Sequence, residues 1–328
     1  MKSELLLKIK RGRITEREHS GFLSLTDENN KVLSQVGDCE NISFFLRSCS
    51  KPIQAIPVLS TGAFDRFKLT LPELAVICAS HTASKEHLTL VKSILKKIGL
   101  GENNLQCGIH EPIDIETRNY LIKNNLQASP IHNNCSGKHT GMLASCMAKE
   151  WNVENYLDFN HPLQKEYIEI IKNLYKISNN ELSLGIDGCG APVFGMPFYK
   201  IGTGLLKLFL APETELIKQA FMQNPILIGG KGRLDSEIIK ASHGKLIAKV
   251  GAEGLCIVIN PEKKQALAVK ILDANMQARS ITVIEALKQL GWLSQKELNS
   301  PEICSLYDLS IKNCNNVLVG KKEIVFHL

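Results

Sequence analysis

Apolar and polar residues alternate at the start of the chain with the period of two that is typical of β-strands. The alternating segments are residues 5–10, 21–26 and 31–37, and the polar turn 27–30 lies between the last two. This pattern predicts three early strands, of which the second and third form a hairpin.

The period changes from about residue 48, where apolar residues recur three and four positions apart, as they do in helices. Pro57 interrupts the first of these runs, so a short or kinked helix is predicted there. Residues 71 to about 218 read as mostly helical. The segments predicted as helices within this span are 84–98, 141–151, 162–175 and 202–210.

Strand-like alternation returns near the end of the chain, in residues 245–250, 254–260 and 265–272. The turn 261–264 predicts a second hairpin. A helix over about 276–289 and a short strand near Val317 complete the pattern.

Strands at both ends with helices between them predict an α+β fold. One antiparallel sheet is built from both chain ends, and a helical body is inserted between them. We expect a single domain over residues 1–328, with a helical subdomain at about 71–225. We expect the sheet subdomain to comprise residues of about 1–70 and 226–328.

Composition narrows the classes of partner. The formal net charge of +6 is spread along the chain, and aromatic residues make up only 6%, so no nucleic-acid groove is predicted. No segment has the roughly 18 to 20 apolar residues that cross a bilayer, and the first twelve residues do not resemble a secretory signal. The ten cysteines are therefore expected to be mostly reduced and buried, and the location cytoplasmic.

Ser48 and Lys51 are the first candidate for chemistry. Their spacing places both side chains on one face of a helix, where a neutral lysine amine can take the proton of a serine hydroxyl. The helix dipole disfavours cations such as Arg47 and Lys51 at a helix N-terminus, and this repulsion would lower the pKa of Lys51. The alternative is structural, because a serine near a helix start is usually a cap.

Three other segments hold reactive side chains. Ser80 and His81 end an apolar segment, where a stop-and-cap role is the simpler interpretation. Cys135 and Lys138 lie in the polar loop 133–141, and Cys189 lies between glycines in the loop 185–192. Lone cysteines without a CxxC partner are weak indications of zinc, so inert thiols are favoured by composition alone.

The glycine-rich segment 228–233 is similar to a phosphate-binding loop only loosely, because Gly232 stands where serine or threonine is required. A surface loop or a turn lining a site is the better interpretation of this segment.

Five segments taken together resemble the Rhizobium etli-type L-asparaginases, also called class 3 or asparaginase II-like. These segments are Arg-Ser-Cys-Ser-Lys-Pro at 47–52, Ala-Ser-His-Thr at 79–82, Asn-Cys-Ser-Gly-Lys-His at 134–139, Asp-Gly-Cys-Gly-Ala-Pro at 187–192 and Val-Gly-Ala-Glu-Gly at 250–254. They occur in order and span about the whole chain. The resemblance implies a fold like that of serine β-lactamases and glutaminases, and hydrolysis of L-asparagine to L-aspartate and ammonia.

The resemblance also implies roles for individual residues. Two serine–lysine pairs would be catalytic, Ser48 with Lys51 and Ser80 with a lysine on a late strand. Lys270 is the best match for that lysine, and Lys249 is the alternative. Ser48 would attack the side-chain amide with Lys51 as base, and Ser80 would pass the proton to leaving ammonia.

The same resemblance implies a zinc ion held by Cys135, Lys138 and Cys189, and a homodimer. The residues that would bind substrate are Arg47, Asp187, His139 and Asn134. Two other functions stay open. One is a glutaminase or a β-lactam-reactive acyl-transfer enzyme, and the other is a zinc-stabilised amino-acid binding protein without activity.

Overall fold

The computed structural model of this protein describes residues 2–328. Its strands are β1 (Glu4–Arg11), β2 (Ile14–Asp27), β3 (Val32–Val36), β4 (Ser43–Phe45), β5 (Ser183–Ile186), β6 (Pro192–Pro197), β7 (Ile247–Val250), β8 (Leu255–Asn260), β9 (Gln265–Ile271), β10 (Ser310–Lys312) and β11 (Leu318–Ile324).

The α-helices are α1 (Lys51–Gln54), α2 (Ile56–Ser60), α3 (Ala63–Arg66), α4 (Leu71–Ile77), α5 (Lys85–Lys97), α6 (Ile115–Lys123), α7 (Ser136–Lys149), α8 (Pro162–Tyr175), α9 (Ile201–Leu210), α10 (Glu215–Gln223), α11 (Pro225–Gly229), α12 (Leu234–Ala241), α13 (Met276–Gln289), α14 (Gln295–Leu298) and α15 (Pro301–Cys304). Short 3₁₀ turns lie at Arg47–Ser50, Glu102–Asn104, Pro130–His132, Phe198–Lys200 and Pro212–Thr214.

Both chain ends contribute to one antiparallel sheet. Its order is β10-β11-β1-β2-β9-β8-β7, and β3 pairs with β2 beside this path. The long strand β2 makes this possible, because its first half pairs with β1 and its second half pairs with both β3 and β9. The predicted α+β fold, with a sheet from both ends and helices between, is confirmed.

The strands β8 and β9 form the centre of the core. Every residue of β8 is buried, and so is every residue of β9 except the first. Strands buried on both faces need cover on both faces. Helices α9 and α13 both pack against this pair of strands.

A small second sheet, with the order β4-β6-β5, was not predicted from the sequence. The β6 segment contains Gly195 and is bounded by Pro192 and Pro197, residue types that argue against a strand. The strand β5 is short and mostly exposed, so it lacks an alternating buried face.

Two glycines bring α7 unusually close to α4. A Cβ atom on Gly137 would lie 2.1 Å from the carbonyl oxygen of Val76, and one on Gly141 would lie 2.5 Å from the side chain of Ile77. No side chain fits at either position without moving backbone or core. This contact brings the segment after α4 against the start of α7, which places the candidate site.

Most predicted element positions agree with the structure, including the helix 162–175 and the helix 276–289. The kink predicted at Pro57 corresponds to the separate helices α1 and α2. Helix α7 begins at Ser136, five residues before the predicted start. Within residues 2–328, no helix is long and apolar enough to cross a membrane.

Candidate active site

Ser80 lies between two lysine side chains that come from distant parts of the chain. Its Oγ is 3.1 Å from Nζ of Lys51 at the start of α1 and 3.1 Å from Nζ of Lys249 on β7. Helix α4 ends at Ile77, so the serine sits just beyond a buried helix end. All three side chains are almost completely buried. The structure therefore brings three of the residues considered from sequence into one hydrogen-bonded group.

The prediction that Lys270 pairs with Ser80 was wrong. Lys270 donates to the backbone carbonyl of Glu253, and its Nζ lies 5.1 Å from the ring centroid of Phe44. Residues on β7 and β9 are separated by β8, so the two lysines occupy different places on the sheet. Lys249, the alternative, is the lysine that reaches Ser80.

No hydrogen bond joins the side chains of Ser48 and Lys51 in residues 2–328. The Lys51 amine is bound instead by the carbonyl of Ala79 at 2.7 Å, the carbonyl of Asn134 at 3.0 Å and Ser80. The Ser48 hydroxyl has no hydrogen-bond partner in residues 2–328 and is partly exposed. In unliganded enzymes, catalytic hydrogen bonds are often long and tighten only with substrate.

Burial lowers the pKa of Lys51, and the neighbouring charges of Lys249 and Lys138 act in the same direction, against those of Cys135 and Cys189. A neutral amine has two N–H donors and one lone pair. The two carbonyls take the two donors, and the lone pair is left for the proton of a hydroxyl. The surroundings of Lys51 therefore suit a base.

His81 follows Ser80 in the chain, but in residues 2–328 the two side chains form no hydrogen bond with each other. Its Nδ1 accepts from the backbone N–H of Ala83 at 3.1 Å, and its Nε2 lies 2.9 Å from Oγ of Ser136. Burial lowers the pKa of His81 well below its ordinary value. This histidine is a neutral structural group that joins the segment after α4 to the start of α7.

Charged side chains lie at the more exposed edge of this site. Arg47 donates to Asp187 at 2.9 Å and lies 3.7 Å from Glu253. The Arg47 backbone has a φ of 47°, a left-handed conformation that is uncommon for residues other than glycine. Strained residues of this kind concentrate at functional sites. Arg47 and Asp187 together present one cationic and one anionic group.

The thiols of Cys135 and Cys189 form a second group with Lys138, whose Nζ lies 2.9 Å from the sulfur of Cys189. A hydrogen bond from Cys189 holds the pKa of Cys135 well below its ordinary value, despite burial. The same bond raises the pKa of Cys189.

His139 completes the surroundings of these thiols. Its Nδ1 lies 2.7 Å from the hydroxyl of Tyr156, whereas Nε2 is buried with no hydrogen-bond partner in residues 2–328. Burial lowers its pKa to about 4, against the neighbouring Cys189, which raises it.

These donors fit a soft divalent metal such as zinc. Cysteine sulfur is a typical zinc ligand. Burial lowers the pKa of Lys138, but the charges of Cys135 and Cys189 outweigh this effect and raise it. Lys138 must lose a proton before it ligates. No group of three or more His, Cys, Asp and Glu side chains in residues 2–328 is placed to hold a metal, so a site here depends on the lysine.

One residue of the group was missed by sequence reasoning. The carboxylate of Asp235 on α12 lies 3.1 Å from Nζ of Lys249, and both side chains are fully buried. A lone aspartate in the first turn of a helix is a common feature of helix starts. Nothing in the sequence pattern distinguishes this one from the others.

The model of the family described as L-asparaginase II matches residues 7–324. A search of curated proteins found no match. Among solved structures, a β-lactamase from Mycobacterium bovis is 12% identical, covering 79% of this chain and 89% of its own, with a TM-score of 0.42. No functional conclusion follows from similarity at that level.

Proposed function

Because the chain belongs to the L-asparaginase II family, we propose that it hydrolyses L-asparagine to L-aspartate and ammonia through a serine nucleophile. The observation that carries the proposal is the Ser80 hydroxyl, held 3.1 Å from the amines of Lys51 and Lys249. Paired lysines around a buried serine have no use in a helix cap. They suit the movement of a proton.

Ser48 is the proposed nucleophile. Its hydroxyl is partly exposed and has no hydrogen-bond partner in residues 2–328, whereas Ser80 is 6% exposed and bound by two lysines. A nucleophile such as Ser48 must be able to reach the substrate, whereas a proton relay such as Ser80 must stay hydrogen-bonded to the groups on both sides of it. Ser48 also lies one helical turn before Lys51, on the same face.

In the proposed proton route, substrate binding brings Ser48 and Lys51 together, and the lone pair of Lys51 turns from Ser80 to Ser48. The neutral amine of Lys51 then takes the proton of Ser48 as the serine oxygen bonds to the side-chain carbon of asparagine. The carbon–nitrogen bond then breaks, and the proton passes from Lys51 through Ser80 to the leaving nitrogen. Water hydrolyses the acyl-enzyme by the reverse route, returning Ser48 to its hydroxyl form.

The substrate is a zwitterion, and the exposed edge of the site offers both charges. Asp187 would bind the ammonium group, and Arg47 would bind the carboxylate, exchanging the ion pair that they now share. Asn134 and His139 lie beside Lys51 and Cys189 and would complete the pocket.

A zinc ion is part of the proposal, with Cys135, Cys189 and Lys138 as the ligands. A bound zinc ion would supply a fixed positive charge beside the site. A homodimer and a cytoplasmic location rest on the resemblance and on the reduced cysteines, and they stay predictions.

The experiment is ammonia release from asparagine by the purified protein. Ser48→Ala should lower the rate by about 10³-fold or more. Ser60→Ala, a change to a hydroxyl that contacts Glu166 away from the site, is the control. Glutamine and a chromogenic β-lactam as substrates distinguish the related acyl-transfer activities.

Two results would contradict the proposal. A near-normal rate of ammonia release in Ser48→Ala would mean that Ser80 is the nucleophile or that the proposed scheme is wrong. No ammonia from any of the amides would favour the non-enzymatic binding protein.

Metal analysis tests the zinc site separately. We expect zinc bound to the native protein and lost in Cys135→Ser, with weaker binding at low pH because the ligands take up protons. Cys146→Ser is the matched control. Cys146 is a buried cysteine on α7, the helix that begins directly after Cys135, but it is not among the proposed ligands. Equal zinc in both variants would exclude these ligands.

A further inference from the structure

The two lysines on Ser80 have different surroundings. Lys51 is bound by two backbone carbonyls and Ser80, with no carboxylate in hydrogen-bonding contact. Lys249 is bound by Ser80, by the carbonyl of Val250 at 3.2 Å and by the carboxylate of Asp235 at 3.1 Å. A buried amine next to a buried carboxylate favours the ammonium form, because opposite charges compensate each other where water is excluded.

The hydrogen bonds of Lys249 match that form. An ammonium group has three N–H donors and no acceptor. Its three neighbours are a carboxylate oxygen, a carbonyl oxygen and the oxygen of Ser80, and each of them can accept one hydrogen bond. Ser80 then accepts from Lys249, and its own O–H is free to point toward the lone pair of Lys51.

Asp235 is itself held in place. Its Oδ2 accepts from the backbone N–H of Val250 at 3.2 Å, and its Oδ1 accepts from that of Ser236 at 3.2 Å. Burial alone would raise the pKa of Asp235, but Lys249 and Arg233 together hold it below its ordinary value. A Cβ on Gly229 would lie 2.4 Å from Oδ1, so the carboxylate fills space that only glycine leaves.

The other titratable groups around this pair do not supply a competing anion. They are Lys51, Arg233, Arg279 and the thiols of Cys49, Cys78 and Cys256. Burial raises the pKa of each of these thiols, so they stay neutral. Among these groups, Asp235 is the carboxylate that can hold the charge of Lys249.

We propose that Asp235 is a positioning residue of this hydrolase: it keeps Lys249 as an ammonium ion, and Lys249 in turn orients the Ser80 hydroxyl toward Lys51. The inference rests on the proposed function, because it assigns which of the two lysines takes the proton in that reaction. Asp235 touches no substrate in this scheme. It acts through Lys249, which as an ammonium ion has no lone pair, so Lys51 is the lysine that takes and returns the proton.

The test compares four proteins in ammonia release from asparagine over a range of pH: native, Asp235→Asn, Lys249→Met and the double variant. Asp235→Asn keeps the shape and removes the charge. We expect kcat to fall by roughly 10²-fold with KM little changed. The alkaline limb of the kcat/KM profile should move to lower pH, because the ammonium loses its counter-charge.

The double variant separates this role from a structural one. If Asp235 acts through Lys249, Asp235→Asn should reduce kcat further by less than about 2-fold once Lys249 is already methionine. Glu285→Gln on α13 is the control, since it also neutralises a mostly buried carboxylate, which is paired with Lys288. It should leave both kcat and the pH profile of kcat/KM unchanged. Losses that multiply in the double variant, or an unshifted profile in Asp235→Asn, would overturn the inference.

A second measurement covers the case in which Asp235→Asn does not fold. Nitrogen-15 NMR of lysine side chains in the native protein reports the charge of Lys249, with its signal assigned by its loss in Lys249→Met. An ammonium signal supports the inference, and an amine signal overturns it. This readout does not need activity, so a native protein that releases no ammonia would contradict the proposed function and leave the charge of Lys249 measurable.

Discussion

The inner and outer parts of the candidate site differ in what controls their charges. The inner group is Lys51, Ser80, Lys249 and Asp235, all of which are at most 6% exposed. The outer group is Arg47, Ser48, Asp187 and Glu253, which are partly or fully exposed. In the inner group, burial and one carboxylate decide which amine is charged. In the outer group, solvent and the partly exposed ion pairs of Arg47 share that role.

The difference teaches where each task is placed. Proton transfer needs fixed protonation states, and these follow from exclusion of water. Substrate binding needs charges that can exchange partners, and the Arg47–Asp187 pair at the edge can do so. The scheme is thus a buried relay under a charged rim.

The largest expected effect tests the inner group. Lys51→Met should lower kcat for asparagine by about 10³-fold, because the base is lost. Lys270→Met is the matched control, since Lys270 is also a buried lysine, but its amine donates to the carbonyl of Glu253 rather than to Ser80. We expect a loss below about 10-fold there. Equal losses in the two variants would break the comparison.

The second prediction sharpens the claim that burial keeps inner groups uncharged. His87 stacks on His81 at 5.3 Å, and burial lowers its pKa from 6.5 to about 4. A lowered pKa means that His87 contributes stability fully above pH 6.5, and that this contribution is lost as pH falls toward about 4. The difference corresponds to roughly 3 kcal/mol at most.

Denaturant unfolding at several pH values between these limits measures that slope. His87→Gln should flatten it, and the comparison uses the slope alone because lost packing lowers stability at every pH. Replacing the exposed His327 in the same way is the control. A His87→Gln protein with the same slope as the native protein would show that His87 takes up its proton at similar pH in the folded and unfolded states.

The smallest expected effect tests the outer group. Arg47→Ala should raise KM for asparagine by about 10-fold while kcat falls less, because a charged hydrogen bond to the substrate is lost. Arg66→Ala, which removes an exposed contact to the carbonyl of Ala148, is the control. A fall in kcat with KM unchanged would move Arg47 from binding into the chemistry.

Sequence reasoning reached most elements of the fold because their periodicity is strong. The helix 162–175 and the hairpin around 261–264 are examples. It missed the small sheet, since β6 is flanked by prolines and β5 has no buried face. Propensity is a weak guide where a strand is held only by its neighbours.

The candidate residues were likewise found as motifs, but their partners were not. Ser80 and Lys51 were both named from sequence, whereas the structure pairs them with each other. Asp235 lies 14 residues from Lys249 in the chain and was not named at all. A spacing along the chain can suggest a helical neighbour, but not which side chain arrives from another element.

The chain by itself determined the α+β class, the family-like motifs and the identity of the reactive side chains, because these are local properties of composition and period. Tertiary structure decided that Lys249 rather than Lys270 reaches Ser80, and that Asp235 accompanies it. The physical reason is that β7 and β9 are separated by β8, and only folding brings the end of α4 and the start of α12 onto the same strand. Charges in a buried group depend on every neighbour within a few ångströms, and those neighbours exist only once the chain is packed.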